Sequence, residues 1–234
     1  MHKIQIVGVG PGDPELITVK AVRVLREADI VYVPESDVGG RSVAENIIAP
    51  YVSKEKIKPS YFPITNDDAE LDLQYTALAE NMTKLMRQGK KVVYVTLGDS
   101  MLYSTALYVS ERLKKRGVRH DFIPGIPSYV ACANLTQIPL AEKCESFVTM
   151  GMPENADEIA ALADRFNTVV LMKISKRLSV LLEYVMKYKP ETAMLVCRVN
   201  LEGEKTIDLT QAGKVCPDAG SLAVAIIKRG GNKR

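Results

Sequence analysis

The segment Lys91–Leu97, KVVYVTL, is apolar at odd and even positions alike over the length of one strand. A strand of that kind needs cover on both faces, which places it in the middle of a parallel sheet between two helical layers. Its surroundings agree. Lys3–Val9 (KIQIVGV) reads as a first strand, and Thr18–Ala28 follows with Ala21, Val24, Leu25 and Ala28 on one helical face. Ile30–Val33 is a short buried strand ended by Pro34. Ser42–Tyr51 reads as a helix opened by a capping box of Ser42 and Glu45. A strand is expected at Tyr61–Ile64. The spacing then predicts a helix over Asp67–Gln88, striped by Leu71, Tyr75, Leu78, Met82 and Leu85 and ended at Gly89. Leu102, Ala106, Val109 and Leu113 stripe another helix that stops at Gly117, before a strand at Arg119–Ile123. This β-α-β-α order implies an α/β domain with right-handed crossovers.

A proline–glycine hinge, Ile123–Pro127 (IPGIP), separates that domain from a second. Helices are expected at Ser128–Leu135, Ala156–Phe166 and Ser175–Tyr188. Strands are expected at Ser146–Met150, Thr168–Met172, Ala193–Val199, Lys205–Ile207 and Ser221–Ile227. The close spacing of the late strands suggests a mixed sheet. The 234 residues therefore divide into an N-terminal α/β domain at 1–123, mainly parallel, and a C-terminal α/β domain at 124–234.

Composition removes several classes of function. Thirty-one Lys and Arg against 28 Asp and Glu leave +3, too little for a nucleic-acid track. The cluster Arg112, Lys114, Lys115 and Arg116 suits a solvated helix end. No run approaches the ~20 apolar residues of a membrane span. MHKIQIVGVGPGD lacks the marks of a signal peptide, so a cytoplasmic location is expected. Cys132, Cys144, Cys197 and Cys216 form no C-x-x-C pair, and His2 and His120 are the only histidines. Zinc of ordinary ligand spacing is disfavoured, no protein-bound metal is expected, and the thiols fit a reducing compartment. Cys–His and Ser–His–Asp chemistry are excluded unless His120 is the base; it reads more simply as a strand-edge residue.

The first strand runs into Gly8-Val9-Gly10-Pro11-Gly12-Asp13-Pro14. A dinucleotide fingerprint would need glycine where Asp13 stands, and Pro11 and Pro14 remove backbone donors that a pyrophosphate would use. What remains is bare backbone at the carboxyl end of a strand, where α/β proteins bind ligands. A second such loop is Thr96-Leu97-Gly98-Asp99-Ser100-Met101. Its Asp99 can accept from hydroxyl or amine groups, or can cap the next helix. A third is Pro124-Gly125-Ile126-Pro127-Ser128.

Taken together, GVGPGDPELIT (Gly8–Thr18), LGDSMLYST (Leu97–Thr105) and IPGIPSYVACAN (Ile123–Asn134) resemble the tetrapyrrole methylases, and the resemblance spans nearly the whole chain. Within that family, VPESDVGGRSVAENII and the run Tyr103-Ser104-Thr105 resemble the branch that methylates C20 of precorrin-2 or of its cobalt form, in cobalamin biosynthesis. The resemblance implies two α/β domains with S-adenosyl-L-methionine held in the cleft between them, in a homodimer. It implies donor contacts at Pro11, Leu97, Gly98, Asp99, Leu102, Pro127 and Ser128. Pro127 departs from the family's usual pair, since proline offers no N–H. Further contacts fall at Met172 or Lys173 and near Arg198 and Val199.

The substrate so implied is a carboxylate-rich tetrapyrrole. Arg41, Ser104, Thr105 and Arg198 are candidates to bind it, with Lys173, Lys176 and Arg177 as further cations. Glu35–Arg41, with two adjacent glycines, is a candidate lid. Methyl transfer from a sulfonium needs alignment more than a nucleophilic triad, which suits a chain with two histidines. No base declares itself; Tyr103 could orient substrate or move a proton, or could simply pack over the helix start. The competing readings are a sister enzyme acting on another ring position, on uroporphyrinogen or on diphthamide precursors; a nicotinamide-dependent oxidoreductase; and a non-catalytic ligand-binding module.

Overall fold

The computed structural model describes residues 3–35, 42–62, 67–211 and 222–228, and the chain forms two compact units, Met1–Pro127 and Ser128–Arg234. In the first, strands β1 (Ile4–Gly8), β2 (Ile30–Glu35), β3 (Ile57–Tyr61), β4 (Val92–Thr96) and β5 (His120–Ile123) join helices α1 (Val19–Glu27), α2 (Val43–Ile48), α3 (Asp68–Arg87) and α4 (Ala106–Lys115). The five strands are all parallel, in the order β3-β2-β4-β1-β5.

The doubly apolar pattern of β4 has its explanation here. Val93 and Val95 point to one face with Val7, Val31 and Val33, under Ala21 and Leu25 of α1 and Ile47 and Ile48 of α2. Val92 and Tyr94 point to the other with Ile4 and Ile6, under Leu78 and Met82 of α3 and Val109 and Leu113 of α4. Each such side chain removed from water contributes about 1.5–3 kcal/mol before entropy is counted.

The second unit holds α5 (Ser128–Thr136), β6 (Phe147–Gly151), α6 (Ala156–Arg165), β7 (Thr168–Met172), α7 (Leu178–Tyr188), β8 (Thr192–Cys197), β9 (Lys205–Asp208) and β10 (Ala223–Lys228). Its sheet runs β6-β7-β10-β8-β9; β6 and β7 are parallel, and the remaining pairs are antiparallel. β10 lies in the middle and is buried on both sides. Ala225 and Ile227 face Ile159 of α6 and Leu181 of α7. Val224 and Ile226 face Ala131, Cys132 and Ala133 of α5. The expected pair of α/β domains, one parallel and one mixed, is the architecture found.

Several local expectations change. The strand expected at Tyr61–Ile64 is instead β3 at Ile57–Tyr61, and 63–66 lie outside the described residues. Among the described residues β3 pairs only with β2, so it is an edge strand and tolerates Pro59 and Lys58. The Ser42 capping box does not form: the Ser42 hydroxyl donates to the Pro34 carbonyl at 2.7 Å and makes no cap bond. Ser175–Arg177 is a 3₁₀ turn ahead of α7 rather than its first turn. Asp99 is not the cap of α4, which begins seven residues later at Ala106 with Thr105 at the N-cap position.

Candidate functional site

In the first unit the three glycine-bearing loops leave the carboxyl ends of β4, β1 and β5, which are neighbours in the sheet. They are joined through backbone. Gly98 N–H donates to the Gly10 carbonyl at 2.7 Å and Gly10 N–H to the Gly98 carbonyl at 3.2 Å, a single antiparallel bridge between two loops. The third loop is tied in by Asp99. One carboxylate oxygen accepts from Gly125 N–H at 3.0 Å and the other from Met101 N–H at 2.8 Å.

The glycines divide into two kinds. A Cβ on Gly125 would lie 2.2 Å from the Gly98 carbonyl oxygen, and one on Gly8 would lie 2.7 Å from Gly125 N. Those two glycines allow backbones to touch. Gly98 differs: its φ is +68°, and a Cβ there would meet nothing nearer than the Ile126 carbonyl oxygen at 4.0 Å. Gly98 therefore has backbone freedom and adjoining space, the condition for a ligand to lie against the chain. Pro11 is buried, Leu97, Leu102 and Pro127 are half-buried, and all belong to these loops.

After Asp99 the chain makes a strained passage. Tyr103 has φ +49° and is 43% exposed. The next two residues are held from β4: Ser104 Oγ lies 2.9 Å from Thr96 Oγ1, and Thr105 Oγ1 lies 3.1 Å from the Tyr94 hydroxyl. Ser104 Oγ also accepts from Ala106 N–H at 3.1 Å, so this buried hydroxyl is engaged within the loop. Tyr94 is fully buried, and burial holds its phenol above the usual tyrosine range.

In the second unit, β7 and β8 both run antiparallel to β10, so residues following them share one edge. Met172 ends β7 and is half-buried; Lys173 follows with φ +58°, exposed. Arg198 follows β8 with φ +53°, and its Nε donates to the Glu202 carbonyl at 2.7 Å. Val199 is 3% exposed and belongs to the core under α5. Ser128 is the first residue of α5 and is half-buried. The candidate cations divide as well: Lys176 is exposed, whereas Arg177 donates to the Met152 carbonyl at 2.9 Å and pairs with Glu154 at 3.0 Å, fastening the start of α7 to the loop after β6. Arg41, and the candidate lid apart from Glu35 itself, lie outside the described residues. His120 lies on β5; its Nδ1–H donates to the Val118 carbonyl at 3.0 Å and its Nε2 receives the Ser110 hydroxyl at 2.7 Å.

What sequence reasoning missed is Tyr94 and Thr96, whose alternation marked them only as strand residues. Also missed was the left-handed backbone at Tyr103, Lys173 and Arg198, all already singled out for other reasons. Non-glycine residues in that region carry strain of about 1–3 kcal/mol and gather at functional sites. Among the described residues, no group of three or more His, Cys, Asp and Glu could hold a metal ion, and no helix is long and apolar enough to cross a membrane. A cavity of about 480 Å³ lined by Glu80, Thr83, Lys84, Arg87, Gln88 and Arg116 lies at the C-terminal ends of α3 and α4, the opposite edge from the loops.

The family model for Tetrapyrrole (Corrin/Porphyrin) Methylases matches residues 3–213. The chain belongs to the tetrapyrrole methylase family. It is 34% identical over 231 residues to a Methanocaldococcus jannaschii protein named probable cobalt-precorrin-2 C(20)-methyltransferase, covering 98% of this chain and 97% of the relative. To the cobalt-precorrin-2 C(20)-methyltransferase of Salmonella typhimurium it is 33% identical over 178 residues, covering 75% of this chain and 74% of that one. Among solved structures, the uroporphyrin-III C-methyl transferase of Thermus thermophilus, complexed with S-adenosylhomocysteine, shares the fold with TM-score 0.65 and 21% identity, covering 97% of each chain.

Proposed function

We propose that this tetrapyrrole methylase transfers the methyl group of S-adenosyl-L-methionine to C20 of cobalt-precorrin-2 in cobalamin biosynthesis. The observation that carries the reading is the near end-to-end likeness to a relative named for that activity, at 34% identity over 98% of the chain. The loop geometry supports it: Gly98, buried but with clear space where a side chain would stand and held on both sides, suits a donor that must be positioned rather than activated. S-adenosyl-L-methionine supplies an already activated methyl group on a sulfonium sulfur. The acceptor carbon forms the new C–C bond as the S–CH₃ bond breaks, S-adenosylhomocysteine leaves, and the proton on C20 passes to solvent or a base.

The protein's part is alignment, on the order of 7–11 kcal/mol in favourable cases. The donor contacts we assign are Pro11, Leu97, Gly98, Leu102, Pro127, Ser128, Met172, Lys173 and Val199, with Asp99 holding the loops. Arg198 and Arg41 would meet substrate carboxylates, and Thr105 would act beside them. A homodimer in the cytoplasm completes the proposal. Calorimetry with S-adenosylhomocysteine and with NADH, followed by turnover of precorrin-2 with and without cobalt, tests it. The expected outcome is S-adenosylhomocysteine binding, no NADH binding, and a product methylated at C20 from the cobalt form. A preference for metal-free precorrin-2 would move the protein to the other C20 enzyme; NADH binding alone would overturn the reading.

A further inference from the structure

The loop between β4 and α4 is held more firmly than a connection needs to be. Before Tyr103, the Asp99 carboxylate fixes Met101 N–H and the Gly125 loop. After it, the two successive hydroxyls of Ser104 and Thr105 are met by Thr96 and Tyr94. Those partners stand two apart on β4 and so project from the same face of the strand. Tyr103 between these anchors occupies the left-handed region at φ +49°, which no L-residue adopts without cost. Yet its side chain is not enclosed in the core. It is 43% exposed, and among the described residues it makes no ring contact and its hydroxyl no hydrogen bond. Met101, on the same loop, is 58% exposed. Two anchors therefore hold a strained residue so that its ring faces outward, at the ligand-binding edge of the sheet.

We infer that Tyr103 is a substrate-positioning platform, its ring lying against the flat macrocycle of the tetrapyrrole with Met101 beside it, and that Tyr94 and Thr96 are the positioning residues that hold it there. An aromatic face and a polarisable thioether both suit a broad conjugated surface. No proton moves through Tyr103 in this role. The inference rests on the tetrapyrrole reading above and adds which face of the protein the ring system meets.

The test is steady-state turnover of cobalt-precorrin-2 at saturating S-adenosyl-L-methionine, with S-adenosylhomocysteine affinity and Tm measured on the same samples. Tyr103→Ala is expected to raise the tetrapyrrole KM about tenfold, with S-adenosylhomocysteine affinity unchanged; Tyr103→Phe should recover most of that loss. Tyr94→Phe, leaving Tyr103 in place, should raise the same KM by a few-fold. Tyr103→Gly relieves the backbone, so it should lose tetrapyrrole affinity without any fall in Tm. A KM within twofold of wild type in Tyr103→Ala overturns the inference. So does a fall in Tm for Tyr103→Gly, or a parallel loss of S-adenosylhomocysteine affinity, since either marks a structural role. Wild-type methylation at another carbon, or of another tetrapyrrole, defeats the C20 reading while the KM comparison is made on that substrate. A wild-type protein that binds no tetrapyrrole defeats both.

Discussion

Asp99 and Gly125 are 26 positions apart, and the carboxylate of one accepts the backbone N–H of the other at 3.0 Å. With the Met101 N–H bond at 2.8 Å on its second oxygen, Asp99 latches the loop after β4 to the loop after β5. Hydrogen bonds to a charged acceptor contribute about 1.5–3 kcal/mol each, and a loss of that size lowers Tm by roughly 2–4 °C per kcal/mol in a chain of this length. Asp99→Ala is expected to lower Tm and weaken S-adenosylhomocysteine binding together. Asp99→Asn keeps one acceptor oxygen and should fall between. Thermal unfolding and calorimetry on the two variants decide it; an Ala variant with unchanged Tm and affinity would contradict the latch.

The glycine contacts make a sharper prediction because two substitutions of the same kind should differ. At Gly125 a methyl group would be driven to 2.2 Å from a backbone oxygen, while at Gly151 it would meet nothing within 4 Å. Overpacking against backbone costs about 1–3 kcal/mol or more. Gly125→Ala is therefore expected to shift the urea midpoint down strongly or to yield insoluble protein, and Gly151→Ala to leave it nearly unmoved. Equal midpoints would show that the loops can part without cost.

How much of this was legible in the sequence depended on whether a residue's partner was local. β4 was evident because both faces of KVVYVTL are apolar, and the helix over Asp67–Gln88 was evident from its own stripe, with Asp67 found as its cap, bonding Ala69 and Glu70 next to it. β3 was hidden, since Pro59 and Lys58 are acceptable only once the strand is known to lie at an edge. Asp99 has the composition of a cap and the position of a latch, and only a partner 26 residues away separates the two. Gly8, Gly98 and Gly125 look alike in sequence, whereas two are crowded by backbone and one adjoins space. Left-handed Tyr103, Lys173 and Arg198 leave no mark in composition, because their conformation is imposed by neighbours rather than by residue type.

Thiol chemistry follows from burial. Cys132 is fully buried, and desolvation, with Glu204 and Cys197 adding smaller repulsions, pushes its thiol up to about 12. Burial also raises Cys197, whereas Cys144 is exposed. In native protein at pH 8, iodoacetamide with peptide mapping should find Cys144 modified and Cys132 and Cys197 protected. The same shifts set a direction with pH. The folded state keeps thiol and Tyr94 phenol protons that the unfolded chain releases, so stability is fully present below the ordinary thiol range and falls as pH rises through it. The urea midpoint should decline from pH 8 to pH 11; a flat profile would mean that these groups ionise in the fold.

A last prediction separates strain that serves a site from strain that serves nothing. α7 ends at Lys189, which has φ +46° and donates its N–H to the Val185 carbonyl at 3.0 Å. This left-handed cap is the position glycine fills at many helix ends, and a Cβ there costs about 1 kcal/mol. Lys189 precedes β8, so it lies at the opposite edge of its sheet from Lys173 and Arg198, which follow β7 and β8. Lys189→Gly should raise Tm by about 2–4 °C, the response to ~1 kcal/mol in a chain of this size, with methyl-transfer turnover unchanged. Lys189→Ala keeps the Cβ and should give no gain. If Gly and Ala behave alike at this cap, the left-handed backbone is not the source of the strain, and the expected behaviour of Tyr103→Gly loses its physical basis as well.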